Sequence, residues 1–345
     1  LNAISLAIVV KNPILADVIR NRSNRALSHC IRDDFRKIVS VTDKAINFYQ
    51  HGDNKGLPKL MEDIQHYMAQ SHEPHFSLTL EHLQDDAVEV SKNTKATSYW
   101  DNALYGCCFD GLWHNRIQSK LLDVLNNNRF LAGTDKVPTL YLGNHDHSHV
   151  NWQAGARNNS GALEWYRTQP YLIALMTAPG APMVQNGQEF AEDYWIPEDD
   201  KGSGRRVQPR PLHWGYPNDK FGKAATTLYA KLIHLRHNYP VLRANGFYPE
   251  HWETWQTRFN PEGVGVDTER KLVIFRRYHV DDHGSLQHAV VCLNFSNQAH
   301  WIDLTFPENG SWTSLLSQSE WTIHVHNRCF KLEVTSNWGH IFYKA

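Results

Sequence analysis

Two acidic residues stand where apolar runs stop. Ser77-Leu-Thr-Leu-Glu81 ends a short strand-like run on a carboxyl, and Tyr141-Leu-Gly-Asn-His-Asp146 ends another. A carboxyl at the mouth of an apolar strand loses part of its hydration, which favours its neutral form near pH 7 and equips it to give up a proton. Asp146, beside Asn144 and His145, is expected to stay ionised. A proton donor and an ionised carboxylate together suit a reaction in which a leaving oxygen is protonated while a carbon gathers positive charge. The run His145-Asp-His-Ser-His149 allows a second chemistry, since alternating histidines suit a metal ion. Glu189 and Asp193 read as loop structure. Tyr99, Trp100, Tyr194 and Trp195 lie beside these motifs and either offer flat binding faces or pack the interior.

The elements that must carry these residues alternate. Leu27, Cys30, Ile31, Phe35 and Ile38 recur at helical spacing, as do Leu57, Leu60, Met61, Ile64, Tyr67 and Met68. Strands are expected at 75–81, 97–100, 138–143 and 181–184. Between and after them, helices are expected around Ile117–Leu125, over about 162–177, and through Leu228, Leu232, Leu235 and Leu242. Strand and helix in alternation, with polar residues at the strand ends, predict a parallel α/β layout. From about Asn245 the texture becomes short β runs (273–278, 288–294, 301–304, 330–334) separated by Gly, Asn and Pro. These predict an all-β sandwich over 245–345, following an α/β domain over 1–244.

The motifs in this order resemble the α-amylase family of glycoside hydrolases. Ser77-Leu-Thr-Leu-Glu81-His82 is similar to its fifth-strand motif, and Tyr141-Leu-Gly-Asn-His-Asp146 to its seventh. Pro179-Gly-Ala-Pro-Met-Val-Gln-Asn-Gly-Gln-Glu189-Phe resembles the eighth-strand segment, and Arg206-Val-Gln-Pro-Arg-Pro-Leu-His-Trp214 the loop after it. His234-Leu-Arg-His-Asn-Tyr-Pro-Val-Leu-Arg243 resembles the last barrel helix. The resemblance implies a (β/α)8 TIM barrel, whose strand ends open on one face so that carboxylates from different strands converge on one bond. It implies hydrolysis or transfer of α-linked glucans with retention. Glu81 would be the general acid/base, Asp146 the transition-state stabiliser, and His145, Asn144, His82, Tyr99 and Trp100 the sugar-binding residues. An α-linked oligosaccharide or polysaccharide is the implied partner.

The family pattern is incomplete here. Its nucleophile is an Asp in a run like Gly-Phe-Arg-x-Asp, which this sequence lacks. One alignment leaves Asp43 as the nearest carboxylate. Another sets Asp34-Phe-Arg36 on the motif and puts Ile38 where the Asp should stand. The third-strand motif is also missing, so the expected fold is a partial barrel without its N-terminal strands, belonging to a fragment or completed by another copy. Without the nucleophile, a catalytically inactive sugar-binding or regulatory relative is the alternative. No cofactor is expected: calcium is common in relatives, but its usual ligands would lie in the missing part. A formal charge of -1 gives no basic field for nucleic acid, and the apolar stretch Ala3–Val10 is too short to span a bilayer. Five cysteines without metal spacing, one necessarily unpaired, point to a reducing, cytoplasmic setting.

Overall fold

In a computed structural model, residue 62 and residues 77–81, 83, 85–155, 164–196, 209–317 and 321–345 are described. The expected helices over 27–38 and 57–68 lie outside them. The chain divides into two compact units, one of Leu1–Trp100 with Phe130–Thr139, the other of Asp101–Arg129 with Leu140–Ala345.

In the first unit, strand β1 (Thr79–Leu80) runs parallel to β2 (Ser98–Asp101), with Thr79 beside Ser98 and Leu80 beside Tyr99. Helix α1 (Ala87–Lys92) precedes β2. The start of β3 (Val137–Tyr141) lies on the other side of β2, where Val137 N donates to Thr97 O at 3.1 Å and the Ser98 and Thr139 hydroxyls meet at 2.6 Å. Ala87, Tyr99 and Leu131 form a small core with Leu80 and Val88 packed on it. Lys136 Nζ donates to Ser91 O and Thr94 O, placing a cation at the C-terminal end of α1 where unpaired carbonyls gather.

In the second unit, helix α2 (Ala103–His114) buries Leu104, Cys107, Cys108, Gly111 and Leu112, a stripe at helical spacing. Helix α3 (Leu121–Leu125) follows. The expected helix around Ile117 is therefore confined to Leu121–Leu125, while α2 occupies residues in which no helix was expected. Helix α4 (Val150–Gln153) lies after β3, and α5 (Gln169–Thr177) is buried on every side, with Pro170 in its first turn. Gly111 lets α2 approach α5: a Cβ there would sit 1.8 Å from the Tyr171 hydroxyl. Strand β4 (Ala181–Met183) adjoins β3 and is half-buried. Helix α6 (Lys220–Asn238) is amphipathic and starts at Asp219, whose side chain accepts from Gly222 N at 2.7 Å.

The remaining strands are β5 (Gly246–Tyr248), β6 (Gly265–Asp267), β7 (Leu272–Val280), β8 (Leu286–Asn294), β9 (His300–Thr305), β10 (Gly310–Ser314), β11 (Trp321–Val325), β12 (Cys329–Val334) and β13 (Trp338–Lys344). They build an antiparallel sheet in the order β11-β10-β13-β8-β7-β5, with β6 also beside β7, and a separate antiparallel pair, β12-β9. Strands β7 and β8 are buried on both faces. Val273, Phe275, Val291 and Leu293 join the core of α2, α5 and α6, while Ile274, Val290 and Cys292 face Ile302, Leu304, Leu332 and Val334 of β9 and β12.

Two arginines fasten the helices to this sheet. Arg236 of α6 donates to the carbonyls of Met176, Ala178 and Leu242 at 2.8–2.9 Å and of Gly180 at 2.6 Å. Arg277 of β7 donates to the carbonyls of Gly246, Thr177, Leu242 and Ala244. Burial, with a smaller contribution from a neighbouring arginine in each case, draws the Arg236 guanidinium down to about 10 and that of Arg277 to about 9. Four cysteines (Cys107, Cys108, Cys292 and Cys329) are free, and burial pushes the Cys107 thiol up to about 12. No helix among the described residues is long and apolar enough to cross a membrane.

Candidate functional site

Strand β3 ends on three fully buried residues, Leu140, Tyr141 and Leu142, and the chain then turns sharply. Asn144, 2% exposed, makes the turn: its side-chain oxygen accepts from Asp146 N at 2.9 Å, and its carbonyl accepts from His147 N at 3.1 Å. This leaves the His145 ring exposed and the Asp146 carboxylate half-buried, with His145 Nε2 3.8 Å from Asp146 Oδ1. Arg210 donates to the His145 carbonyl and holds the turn from the far side. The turn thus presents an imidazole and a carboxylate as neighbours, one able to donate and the other to accept hydrogen bonds.

The next residues lock the turn to the segment after β4. His147 stacks on Tyr105 of α2 at 4.3 Å between ring centroids. Ser148 Oγ donates to Ile196 O at 3.1 Å and accepts from Ile196 N at 3.0 Å, and His149 N donates to Tyr194 O at 3.0 Å. The His149 ring is buried, and desolvation lowers its pKa to about 4 against the opposing charges of Glu192 and Asp193. It is therefore neutral near pH 7. Among the described residues, neither His147 nor His149 belongs to a group of side chains whose ligating atoms could share a metal ion.

Glu192 is the residue that sequence reasoning missed. It is 0% exposed, yet it is the hub of the loop. Its Oε2 accepts from His213 N at 2.8 Å, and its Oε1 from Asp193 N at 3.1 Å and His213 Nδ1 at 2.8 Å. Asn151 Nδ2 donates to its carbonyl at 3.2 Å, tying α4 to the same point. Gly187 makes room for it: at φ +94°, a Cβ there would lie 2.8 Å from Leu212 Cδ2 and 2.9 Å from Glu192 Cβ. The visible signal was an acidic pair following the buried Phe190-Ala191, but nothing nearby named His213 as its partner. Glu192, Asp193 and His213 bring ligating atoms within 4.8 Å of one another, a spacing that could hold a metal. Both Glu192 oxygens are already engaged by N–H donors, so the group fits a structural clasp better.

The other expected site residues lie in the first unit or outside the described residues. Glu81 directly follows β1 and is half-buried. Trp100 is also half-buried, whereas Tyr99 is 3% exposed and packs with Ala87 and Leu131, so its ring serves the core. Asp43 and His82 fall outside the described residues. In the second unit, Tyr194 donates its hydroxyl to Pro209 O at 2.7 Å, and Trp195 is exposed.

The sequence matches no family model and no curated protein. Solved structures are similar in fold. An α-amylase from Anoxybacillus superposes with a TM-score of 0.58 at 17% identity, over 83% of this chain and 56% of that one. The fold is that of the α-amylase family. An α-amylase from Geobacillus thermoleovorans, solved with acarbose, gives 0.58 at 18% identity over 83% and 57% of the two chains. A pullulanase from Bacillus acidopullulyticus gives 0.58 at 13%, over 89% of this chain and 40% of its own. The chain thus spans little more than half the length of these α-amylases. An α-amylase-type fold combines α/β elements with a C-terminal β domain, and both kinds of element are present here.

Proposed function

We propose that this chain acts on α-linked glucans as a retaining glycoside hydrolase or transglycosylase. In this reading residues 1–244 are a partial (β/α)8 barrel without its N-terminal strands, of which β1 to β4 are the last strands, and 245–345 is the β-sandwich that follows. Glu81 protonates the leaving oxygen and later deprotonates the incoming hydroxyl. Asp146 stabilises the positive sugar carbon, and His145 hydrogen-bonds the same ring. Asn144 works indirectly, by fixing the turn that presents them both. The observation that carries the reading is this turn, an Asn-His-Asp at a strand end in a chain with the α-amylase fold.

A second reading is favoured by one feature of the sequence, the absence of a Gly-Phe-Arg-x-Asp run. It makes the chain a sugar-binding relative that does not cleave. The two are separated by incubating the protein with maltoheptaose, following new reducing ends and, in parallel, titrating maltotriose. Turnover that falls by about 10²–10⁴-fold in Glu81→Gln, with maltotriose affinity little changed, supports the enzyme. If Asp43→Asn also abolishes it, Asp43 is the nucleophile. Binding without turnover supports the second reading. A protein that neither binds nor cleaves α-glucans overturns both.

A further inference from the structure

Ring contacts in the second unit run in single file away from the Asn144–Asp146 turn. Tyr105, Phe109 and Trp113 recur every fourth residue and share one face of α2. Their centroids are 6.0 and 5.7 Å apart. From Trp113 the file continues to Trp152 at 6.4 Å and then to Trp195 at 6.1 Å. It opens outward as it goes. Tyr105 and Phe109 are half-buried, while Trp113 is 55% and Trp195 51% exposed. Exposed indoles alone need no explanation, and Trp214 and Trp255 are more exposed still, at 70% and 75%; what sets Trp113 and Trp195 apart is that Trp152 joins them in one file.

We propose that this file is a binding track for an α-linked glucan chain, a surface additional to the turn at Asn144–Asp146. The ligand class rests on the function proposed above; the track itself rests on the rings. Three observations select a glucan. First, the file is continuous with the turn, because Tyr105 stacks on His147, the residue after Asp146. Second, it offers little charge. Asp110, on the same helix, is consumed by Arg116, Gln118 and His114 at 2.7–2.9 Å, and Gln153 accepts from the Trp113 indole N–H, leaving its own amide N–H2 for hydroxyl groups. Apolar faces rimmed by a neutral amide suit a polyol with apolar ring faces. Third, successive ring planes are inclined to one another by 46°, 32°, 50° and 38°. Faces that are not coplanar suit an α-linked chain, which coils. A flat β-linked chain would need coplanar platforms.

The test uses the full chain and two probes, amylopectin for the track and maltotriose for the turn. Retention in an amylopectin-containing native gel is expected to weaken about tenfold in both Trp113→Ala and Trp195→Ala, the size of effect typical of a Trp anchor. It should be largely restored in Trp113→Tyr, which keeps a ring. Unchanged thermal unfolding of Trp195→Ala separates lost binding from lost folding. Maltotriose binding that depends on Asp146, together with amylopectin retention indifferent to both Trp substitutions, would overturn the track and leave the proposed function standing. Equal retention by a β-glucan gel would overturn the ligand assignment. No α-glucan binding at all would remove both proposals.

Discussion

Replacing Glu192 by Ala removes a carboxylate that is wholly buried and accepts from Asp193 N, His213 N and His213 Nδ1. Two of these donors are backbone amides with fixed positions, and the substitution leaves both without this acceptor. A hydrogen bond to a charged group contributes about 1.5–3 kcal/mol. The imidazole bond is discounted, since His213 is half-exposed and such pairs contribute about 0–1 kcal/mol. The expected loss is therefore about 3–6 kcal/mol for Glu192→Ala. Glu192→Gln keeps one acceptor oxygen in place and should lose about 1–2 kcal/mol. Urea unfolding gives the two values. Hydrogen exchange gives the location: the amides of Asp193 and His213 should lose protection, while those of β7 and β8 should not. The His145 turn should loosen with them, because Arg210 reaches it from the same segment that His213 anchors. A Glu192→Ala protein less than about 1 kcal/mol below the parent, with both amides still protected, would refute the hub.

Other outcomes are equally specific. Gly187→Ala forces a Cβ against Leu212 and Glu192 at positive φ, and should cost about 1–3 kcal/mol, read as a lower unfolding midpoint. His149 has a folded pKa depressed by burial to about 4, so the unfolded chain takes up the proton first as pH falls. Stability is then full above about pH 6.5 and lost between about 6.5 and 4, by about 3 kcal/mol, and His149→Gln should flatten that limb of a stability–pH profile. Arg277→Met removes a buried cation but leaves the carbonyls of Thr177, Ala244 and Gly246 without this donor. Relief of desolvation offsets part of that, and a net loss of about 2–4 kcal/mol is expected by urea unfolding. A more stable Arg277→Met protein would show that desolvation outweighs the hydrogen bonds.

The β strands were the most legible part of the sequence, because β7 and β8 are covered on both faces and read as unbroken apolar runs. Further along the sheet, β10 carries Trp312 singly among polar residues, so pairing, not pattern, defines it. Helix α2 escaped notice because aromatic residues occupy the face opposite its buried stripe. With Leu104, Cys108 and Leu112 on one side and Tyr105, Phe109 and Trp113 on another, the 3.6-residue contrast between faces is erased. Asn144, His145 and Asp146 stood out by type at a strand end, but the Asx turn that they make was not expected, although it is written in adjacent residues. Glu192 was not readable, because its partner lies 21 residues further on, across a loop that only folding brings back.

The arginine fastening bears on how such a chain can be rearranged. Arg277 belongs to the sheet, yet three of the four peptide groups that receive it lie in α5 and in the connection entering β5, the fourth being Gly246 of β5 itself. Arg236 returns the clasp from α6 onto the end of α5. A β domain excised at residue 245 would carry a guanidinium stripped of most of its acceptors, and a grafted replacement would have to supply a donor at the same depth. The terminal sheet is therefore not an interchangeable module. Exchange between relatives should succeed only where the cut keeps α5, α6 and β7 from one parent, and libraries of chimeras scored for soluble, folded protein would display that boundary as a gap in the permitted crossover points.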